Sequence, residues 1–260
     1  MEVDPKLIFD VGVCDGRDTA YYLHKGYRVV AVEASPAMLP QLQERFHAEI
    51  EDGRLVLVPM AIAEQEGEAP FWVCDDWPHW SSFDRSMASL NGSRHHQVMV
   101  QTCNFRSLLE RFGIPFYCKV DIEGSDNLCL EALDGLSRPT FVSVEVGDGN
   151  TQIRLLRDLG YSRFKLISQT TLRQPTFGVT RFKAALPRWA RSLFVRLEAR
   201  AMRARKDGDW RFVHGVSGPF GEGTHGPWLT AEEAIELNAL TEKAADFAEW
   251  FDIHAAIDEG

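Results

Sequence analysis

The residues best suited to chemistry form a glycine-containing turn near the start of the sequence. Asp10 lies near the end of the apolar run 6–11, and Gly12, Cys14 and Gly16 follow that run and precede a helix-length segment. Glycines let the backbone turn tightly and approach a ligand, and a helix N-terminus favours a carboxylate or a phosphate. The pattern indicates a ligand-binding turn, with a plain connection between a strand and a helix as the alternative.

A second carboxylate, Glu33, ends the apolar run 28–32. It can accept hydrogen bonds from both hydroxyls of a ribose, a group that NAD and S-adenosylmethionine share. The glycine spacing discriminates between them, because a dinucleotide site uses GxGxxG whereas Gly12 and Gly16 enclose three other residues. We therefore expect S-adenosylmethionine as the cofactor, with a NAD(P)-dependent oxidoreductase as the rival class.

Charged residues also alternate along a later apolar run, 116–122. Lys119, Asp121 and Glu123 would point to one face of a strand until the chain turns at Gly124. Burying such a row is unfavourable unless the charges pair with one another or line a cleft. We expect a cleft, and a purely structural pair between Lys119 and Asp121 is the alternative.

Strands that alternate with helices must position these residues. Over residues 1–168 the alternation predicts an α/β, Rossmann-like fold, a mostly parallel sheet with helices on both faces. Ligands of such sheets bind beyond the carboxyl ends of the strands, where Asp10, Glu33 and Asp121 would meet. We expect residues 169–260 to be a helical C-terminal extension packed on the same domain.

The extension contains three segments of different character. Residues 181–206 hold nine Lys or Arg and one acid, with apolar residues at helical spacing. This basic amphipathic helix could contact an anionic substrate or an acidic membrane surface, or it could be a solvated face that pairs with the protein's own acidic helix. Residues 217–228 predict a glycine-rich loop, either a lid or a plain connection. Residues 230–257 predict one long acidic helix, opened by a capping box of Thr230 and Glu233.

Composition narrows the classes of function. The formal net charge of -10 disfavours general attraction to nucleic acid or anionic lipid, although it leaves room for local basic patches. Without any run of 18 apolar residues we expect no stable membrane insertion. The five cysteines are odd in number and lack CxxC spacing, which is typical of buried thiols in a reducing compartment. We therefore expect a cytoplasmic enzyme whose partner is a small molecule.

Taken together, the motifs resemble the FkbM family of class I methyltransferases, whose hallmarks are a DxGxxxG turn and a later K-[IV]-D-[IV]-E-G motif. This sequence carries the first at Asp10–Gly16 and the second at Lys119–Gly124. Glu33 and Glu145 match two further acidic strand ends of the family. The likeness covers about residues 6–167 and implies S-adenosylmethionine-dependent O-methylation, often of sugars or natural products.

The resemblance also implies roles for individual residues. The residues expected to bind the cofactor are Asp10, Gly12, Cys14 and Gly16 in the turn, with Asp10, Gly12 and Gly16 at its methionine end, Glu33 at the ribose, Ala61 and Ile62 near the adenine, and Asp121. Asp121 and Glu123 would lie on the reaction side of the cleft. A non-catalytic module that only binds S-adenosylmethionine fits the same motifs.

Methyl transfer to oxygen needs the hydroxyl held in line with the methyl group and its proton removed. We expect Asp121 or Glu123 to be the base, with His95 and His96 as further candidates. Asp121 could instead bind the amine of the cofactor. Asp121, Glu123 and Glu145 could also surround Mg²⁺, but because their spacing is not diagnostic we predict no metal.

Three tryptophans lie between Glu33 and the apolar run 116–122. Trp72, Trp77 and Trp80 cluster in the sequence around a loop rich in Ser and His. Such rings could stack on a sugar acceptor, and an aromatic corner of the core explains them equally well.

Overall fold

The computed structural model describes residues 2–122, 124–133, 138–147, 150–201, 206–213, 215–244 and 249–258. These residues belong to two compact units, Met1–Thr140 and Phe141–Gly260. The domains expected from the sequence, 1–168 and 169–260, are bounded by the end of the strand and helix alternation and not by compactness. They stay a prediction.

The first unit alternates strands with helices. Its strands are β1 (Val3–Val11), β2 (Arg28–Val32), β3 (Leu55–Val58), β4 (Ala61–Ile62), β5 (Gly67–Cys74), β6 (His95–Cys103) and β7 (Ile114–Val120). Its helices are α1 (Arg17–His24), α2 (Leu39–Arg45), α3 (His47–Glu51), α4 (Arg85–Ala88), α5 (Phe105–Phe112) and α6 (Asp126–Glu131), with short 3-10 turns at Pro78–Trp80 and Leu90–Gly92.

Four strands of this unit form a parallel arrangement in the order β3-β2-β1-β7. Successive residues of β1, namely Leu7, Ile8 and Phe9, are all buried. Because neighbouring side chains of a strand point to opposite faces, both faces are covered, as parallel sheets require. The predicted mostly parallel α/β fold is confirmed. The register sets Asp10 beside Lys119, which brings the two motifs together.

A smaller sheet of the same unit has the order β4-β6-β5. β4 pairs with β6 in parallel and β5 pairs with it antiparallel. Ala61, Phe71, Val73 and Val100 form its buried core.

The second unit has its own elements. Its strands are β8 (Phe141–Glu145), β9 (Arg163–Ser168), β10 (Lys206–Asp207), β11 (Trp210–Arg211) and β12 (Phe251–Ala256). Its helices are α7 (Thr151–Asp158), α8 (Phe177–Ala185), α9 (Arg188–Ala201) and α10 (Ala231–Ala244), with a 3-10 turn at Gly221–Gly223.

The end of the chain corrects one prediction. The capping box is confirmed, since the Thr230 backbone N–H donates to Glu233 Oε2 at 2.9 Å and the Glu233 N–H donates to Thr230 Oγ1 at 3.2 Å. The expectation of one helix over 230–257 is wrong, because Phe251–Ala256 is a strand that pairs antiparallel with both β8 and β9. Two ladders of backbone hydrogen bonds outweigh the local helical pattern there. Phe247, one of the apolar residues expected to be buried in that helix, lies outside the described residues.

The glycine-rich loop is held against β9. The ring of Trp228 stacks on Phe141 with centroids 6.3 Å apart, and the Lys165 ammonium lies 4.3 Å from the Trp228 ring. Lys165 also donates to the Thr224 hydroxyl at 2.9 Å. These contacts favour the plain connection over a mobile lid. None of the described helices has the length and apolar character that crossing a bilayer requires.

Candidate functional site

Gly12 is the point at which the two motifs touch. Its φ of +86° lies in the left-handed region, and a Cβ at this position would lie 1.8 Å from the carbonyl oxygen of Asp121. Its N–H donates to the carbonyl of Val32 at 2.9 Å. The turn is therefore packed between the ends of β2 and β7, and only glycine permits that approach.

Gly16 serves a different contact. It caps α1 with a φ of +76°, and a Cβ there would lie 2.5 Å from the ring of Phe46. Between the two glycines, Cys14 adopts a left-handed φ of +52°, which is strained for a residue with a side chain. This strain aims the Cys14 N–H at Glu33, whose Oε2 accepts it at 2.8 Å.

Glu33 stands at the end of β2 beside this turn, as the sequence predicted. Its side chain is buried, and its other oxygen, Oε1, accepts the Ser35 N–H at 2.8 Å. Burial raises the pKa of the Glu33 carboxyl, and the two backbone N–H groups act in the opposite direction. A carboxylate oxygen has two acceptor positions, so each oxygen keeps one for a further donor.

Lys119 joins the two motifs electrostatically. Its Nζ lies 3.3 Å from Asp121 Oδ2, 3.3 Å from the Gly12 carbonyl oxygen and 3.5 Å from Asp10 Oδ1. The side chains of Lys119 and Asp10 are 4% and 1% exposed, whereas that of Asp121 is 30% exposed. The pairing of Lys119 with Asp121 is therefore confirmed, and the cleft expected at the partly exposed Asp121 stays a prediction.

Asp10 lies beneath the turn rather than on its surface. Its Oδ2 accepts the Thr19 hydroxyl at 2.6 Å. Burial raises the pKa of the Asp10 carboxyl, and Lys119 acts to lower it. This placement favours a positioning role through Lys119 and Thr19 over the predicted direct contact with the cofactor.

The end of the second motif is closed by a residue that sequence reasoning missed. The carboxylate of Asp126 accepts the Ile122 N–H at 3.0 Å and the Gly124 N–H at 3.3 Å. The local sequence carries no signal for this contact, because an Asx turn bonds the N–H two residues after the Asp, whereas Asp126 accepts from residues that precede it. Glu123, a predicted base, lies outside the described residues.

His95, the third predicted catalytic residue, stands on β6 with both ring nitrogens engaged. Nε2 lies 3.2 Å from the Arg85 Nε that donates to it, and Nδ1 lies 2.9 Å from the Ser93 carbonyl oxygen. The ring also contacts Trp72 edge-on, with centroids 5.6 Å apart. The geometry does not favour His95 as the base, because a base needs a nitrogen that its substrate can reach.

The other predicted cofactor residues are buried. Ala61 and Ile62 are 3% and 2% exposed within β4, and their contact with an adenine stays a prediction. Cys14 is half-buried, and burial followed by the nearby carboxylates Asp15 and Glu33 raises the pKa of its thiol to about 12. The Cys14 thiol therefore stays protonated at neutral pH, and the backbone N–H is the part of this residue that acts in the turn.

His79 is a candidate that the sequence analysis did not single out. It lies in the 3-10 turn Pro78–Trp80, with its ring 5.8 Å from that of Trp77 and 6.0 Å from that of Trp80. Partial burial lowers the pKa of His79, Arg17 lowers it further, and Asp15 and Asp121 raise it. The charges of Asp15 and Asp121, one from each motif, both act on the His79 imidazole.

Among the described residues, no group of three or more His, Cys, Asp or Glu side chains has the geometry of a metal site. The conjecture of Mg²⁺ at Asp121, Glu123 and Glu145 receives no support from this part of the chain.

The fold and this turn define a Rossmann-like α/β protein with a candidate ligand site at the carboxyl ends of its strands. The model of the methyltransferase FkbM domain matches residues 10–163, which is more than half of the chain. The chain belongs to the FkbM methyltransferase domain family. The resemblance seen in the motifs is thereby confirmed, and with it the predicted class I methyltransferase fold.

Three solved structures illustrate the range of similar folds. Methyltransferase FkbM from Methylobacillus flagellatus KT is 16% identical with a TM-score of 0.37, and the match covers 56% of this chain and 34% of that one. Precorrin-6y C5,15-methyltransferase from Geobacter metallireducens GS-15 is 11% identical with a TM-score of 0.42, covering 99% and 82%. The Burkholderia thailandensis 1,6-didemethyltoxoflavin-N1-methyltransferase, bound to S-adenosylhomocysteine, is 19% identical with a TM-score of 0.31, covering 61% of each chain.

The present chain thus spans about a third of the first of these proteins. A comparison with curated proteins finds no match.

Proposed function

We propose that this chain transfers a methyl group from S-adenosylmethionine to a hydroxyl of a small molecule, a sugar or a compound resembling a natural product. The observation that carries the proposal is the meeting of the two motifs. Gly12 packs on the Asp121 carbonyl, while Lys119 ties Asp10, Gly12 and Asp121 together. Membership of the FkbM methyltransferase domain family supports the same reaction.

The residues present fit the cofactor. Glu33 keeps one acceptor position on each oxygen for the two ribose hydroxyls, and the left-handed turn from Gly12 to Gly16 lies beside it. When bound, S-adenosylmethionine supplies an electrophilic methyl group on a positively charged sulfur. The lack of a GxG pair and the family match both weigh against a dinucleotide.

Asp121 is the proposed base. Its side chain is the partly exposed member of the charge cluster, and Lys119 orients one of its oxygens. Its task is to accept the proton of the acceptor hydroxyl as that oxygen bonds to the methyl carbon. Trp77, which is 52% exposed beside His79, offers a ring face on which a sugar could stack.

The first experiment is calorimetric titration of the chain with S-adenosylmethionine and, separately, with NADH. We expect binding of S-adenosylmethionine, and a loss of about tenfold to a hundredfold in Glu33→Ala because hydrogen bonds to a charged group are lost. Glu33→Gln keeps one acceptor oxygen and should lose less. Glu44→Ala, an exposed glutamate of α2, is the matched control.

Two outcomes would contradict the proposal in different ways. Binding of NADH in place of S-adenosylmethionine overturns the methyltransferase. Unchanged affinity in Glu33→Ala overturns the ribose contact alone. Thermal unfolding of each variant separates a lost contact from a lost fold.

The second experiment addresses Asp121 and uses a panel of sugars and phenols with S-adenosylmethionine, following formation of S-adenosylhomocysteine. For an accepted substrate, Asp121→Asn should lower the transfer rate by about 10²-fold to 10⁴-fold while the affinity for S-adenosylmethionine changes little. An equal loss of cofactor affinity would instead assign Asp121 to cofactor binding.

A further inference from the structure

Helix α9 presents a line of large apolar side chains to solvent. Trp189, Leu193 and Leu197 are 74%, 53% and 58% exposed, and their spacing of four residues puts them on one face of the helix. We name these three residues the α9 stripe. The opposite side of the helix packs inward through Val195, which is 5% exposed. The sequence pattern predicted an apolar face, and the structure leaves its three largest outward residues uncovered.

The orientation of the stripe is held from within the second unit. The guanidinium of Arg191 donates to the backbone carbonyls of Leu186 at 2.8 Å, Ala184 at 2.6 Å and Lys243 at 2.6 Å. These bonds fix α9 to the ends of α8 and α10. Contiguous exposed apolar side chains on a fixed element mark an interaction site, because monomeric proteins rarely leave them uncovered.

The charge around the stripe selects the partner. Residues 181–206 carry a net charge of +8, while the whole chain carries -10. Arg181 and Lys183 are paired with Glu236 and Glu249. Arg196 is exposed three residues after Leu193 and therefore shares the face of the stripe.

A second copy of the chain fits this surface poorly. In a symmetric pair each α9 would face its own copy, so two segments of charge +8 would be brought together. A nucleic acid would use the arginines but would leave the Trp and Leu side chains without apolar partners. An anionic bilayer satisfies both, because its headgroups carry negative charge and its interface accepts Trp and Leu.

We propose that α9 docks on the surface of an anionic phospholipid bilayer. The α9 stripe enters the interfacial layer, and Arg196 on the same face meets the lipid phosphates. A helix of 14 residues is about 21 Å long, so it can lie along the bilayer plane without crossing it. This surface function is independent of the proposed methyl transfer.

The test is co-sedimentation of the full chain with vesicles of phosphatidylcholine alone and of phosphatidylcholine mixed equally with phosphatidylglycerol. We expect binding to the mixed vesicles, weakened by added salt. Trp189→Ser and Leu193→Ser should each reduce binding about tenfold, as loss of one buried apolar side chain implies. Arg196→Glu should reduce it about fivefold or more.

The matched control is Met99→Ser, which removes an apolar side chain that is 59% exposed on β6 of the first unit. It should leave vesicle binding unchanged. Because all of these side chains are exposed, circular dichroism should show an unaltered fold.

Four results would overturn the proposal: no binding to the mixed vesicles, equal binding to both vesicle types, binding unaffected by combined substitution of the α9 stripe, or a concentration-dependent dimer that Leu193→Ser disperses in the absence of vesicle binding.

Discussion

Both units bury titratable side chains, carboxyl groups among them in the first unit and a histidine and a lysine in the second. Asp10 and Glu33 are buried carboxyls whose pKa burial raises. In the second unit His254 is fully buried on β12, and burial followed by the nearby Lys165 lowers its pKa to about 3. Lys183 is buried as well, paired with Glu249 at a cavity of about 330 Å³.

The charged clusters of the two units differ in whether one of their members reaches solvent. In the first unit the chain of charged contacts leads from buried Asp10 through Lys119 to the partly exposed Asp121. In the second unit the side chains of Lys183 and Glu249 are 8% and 6% exposed, so the pair closes on itself. A buried charge that supports an accessible one is typical of a functional site, whereas a closed pair serves structure.

The largest effect is expected from a substitution that disrupts the close contact between Gly12 and the Asp121 carbonyl in the first unit. Gly12→Ala would place a Cβ 1.8 Å from the Asp121 carbonyl oxygen, so the backbone must move. We expect a loss of about 4 kcal/mol or more in the free energy of unfolding. Gly26→Ala is the control, because Gly26 has a similar φ of +81° with nothing within 4 Å, and should cost only about 1 kcal/mol of left-handed strain. Equal losses in urea unfolding would refute the role of close packing.

The next effect separates the two clusters directly. Lys119→Met and Lys183→Met each leave a buried carboxylate without its partner, and each should cost about 3 kcal/mol in the free energy of unfolding. Only Lys119→Met should also abolish binding of S-adenosylmethionine, measured by calorimetry under conditions where both variants are folded. Loss of cofactor binding in Lys183→Met as well would end the distinction between a site and a closed pair.

At neutral pH the smallest effect is that of His254, because its contribution changes only in acid. Because the pKa of His254 is lower in the folded chain than its ordinary value, the folded state binds fewer protons there than the unfolded state. Its contribution to stability is complete above about pH 6.5 and is lost as pH falls toward 3. In this window the free energy of unfolding decreases as pH falls. We expect His254→Gln to reduce that slope by about 1.4 kcal/mol per pH unit.

Urea unfolding at several pH values between 3 and 6.5 measures this slope. His47→Gln, at a histidine whose side chain is 71% exposed, is the control and should leave the slope unchanged. The buried acids Asp10 and Glu33 act in the opposite direction, since a raised carboxyl pKa costs stability as pH increases. An unchanged slope in His254→Gln would show that this histidine is protonated in the fold.

Sequence reasoning placed the motif residues on the fold well because their signals are local. The positions of Gly12 and Glu33 at strand ends follow from apolar runs that end in special residues, and alternation in a strand puts Lys119 and Asp121 on one face. The prediction of secondary structure failed where pairing with strands distant in the sequence decides between helix and strand. Phe251–Ala256 reads as part of a helix until β8 and β9 bind it on either side.

The sequence by itself determined the class of protein: the glycine spacing, the carboxylate after the second strand and the KVDIEG segment identify the family and its cofactor turn. Only the tertiary structure decided which of those residues are buried, which are exposed and which are engaged in hydrogen bonds. It buried Asp10, left Asp121 partly exposed, engaged both nitrogens of His95 and left the stripe of α9 uncovered. Residue type and spacing set which contacts are possible, whereas burial depends on which elements pack on each side chain.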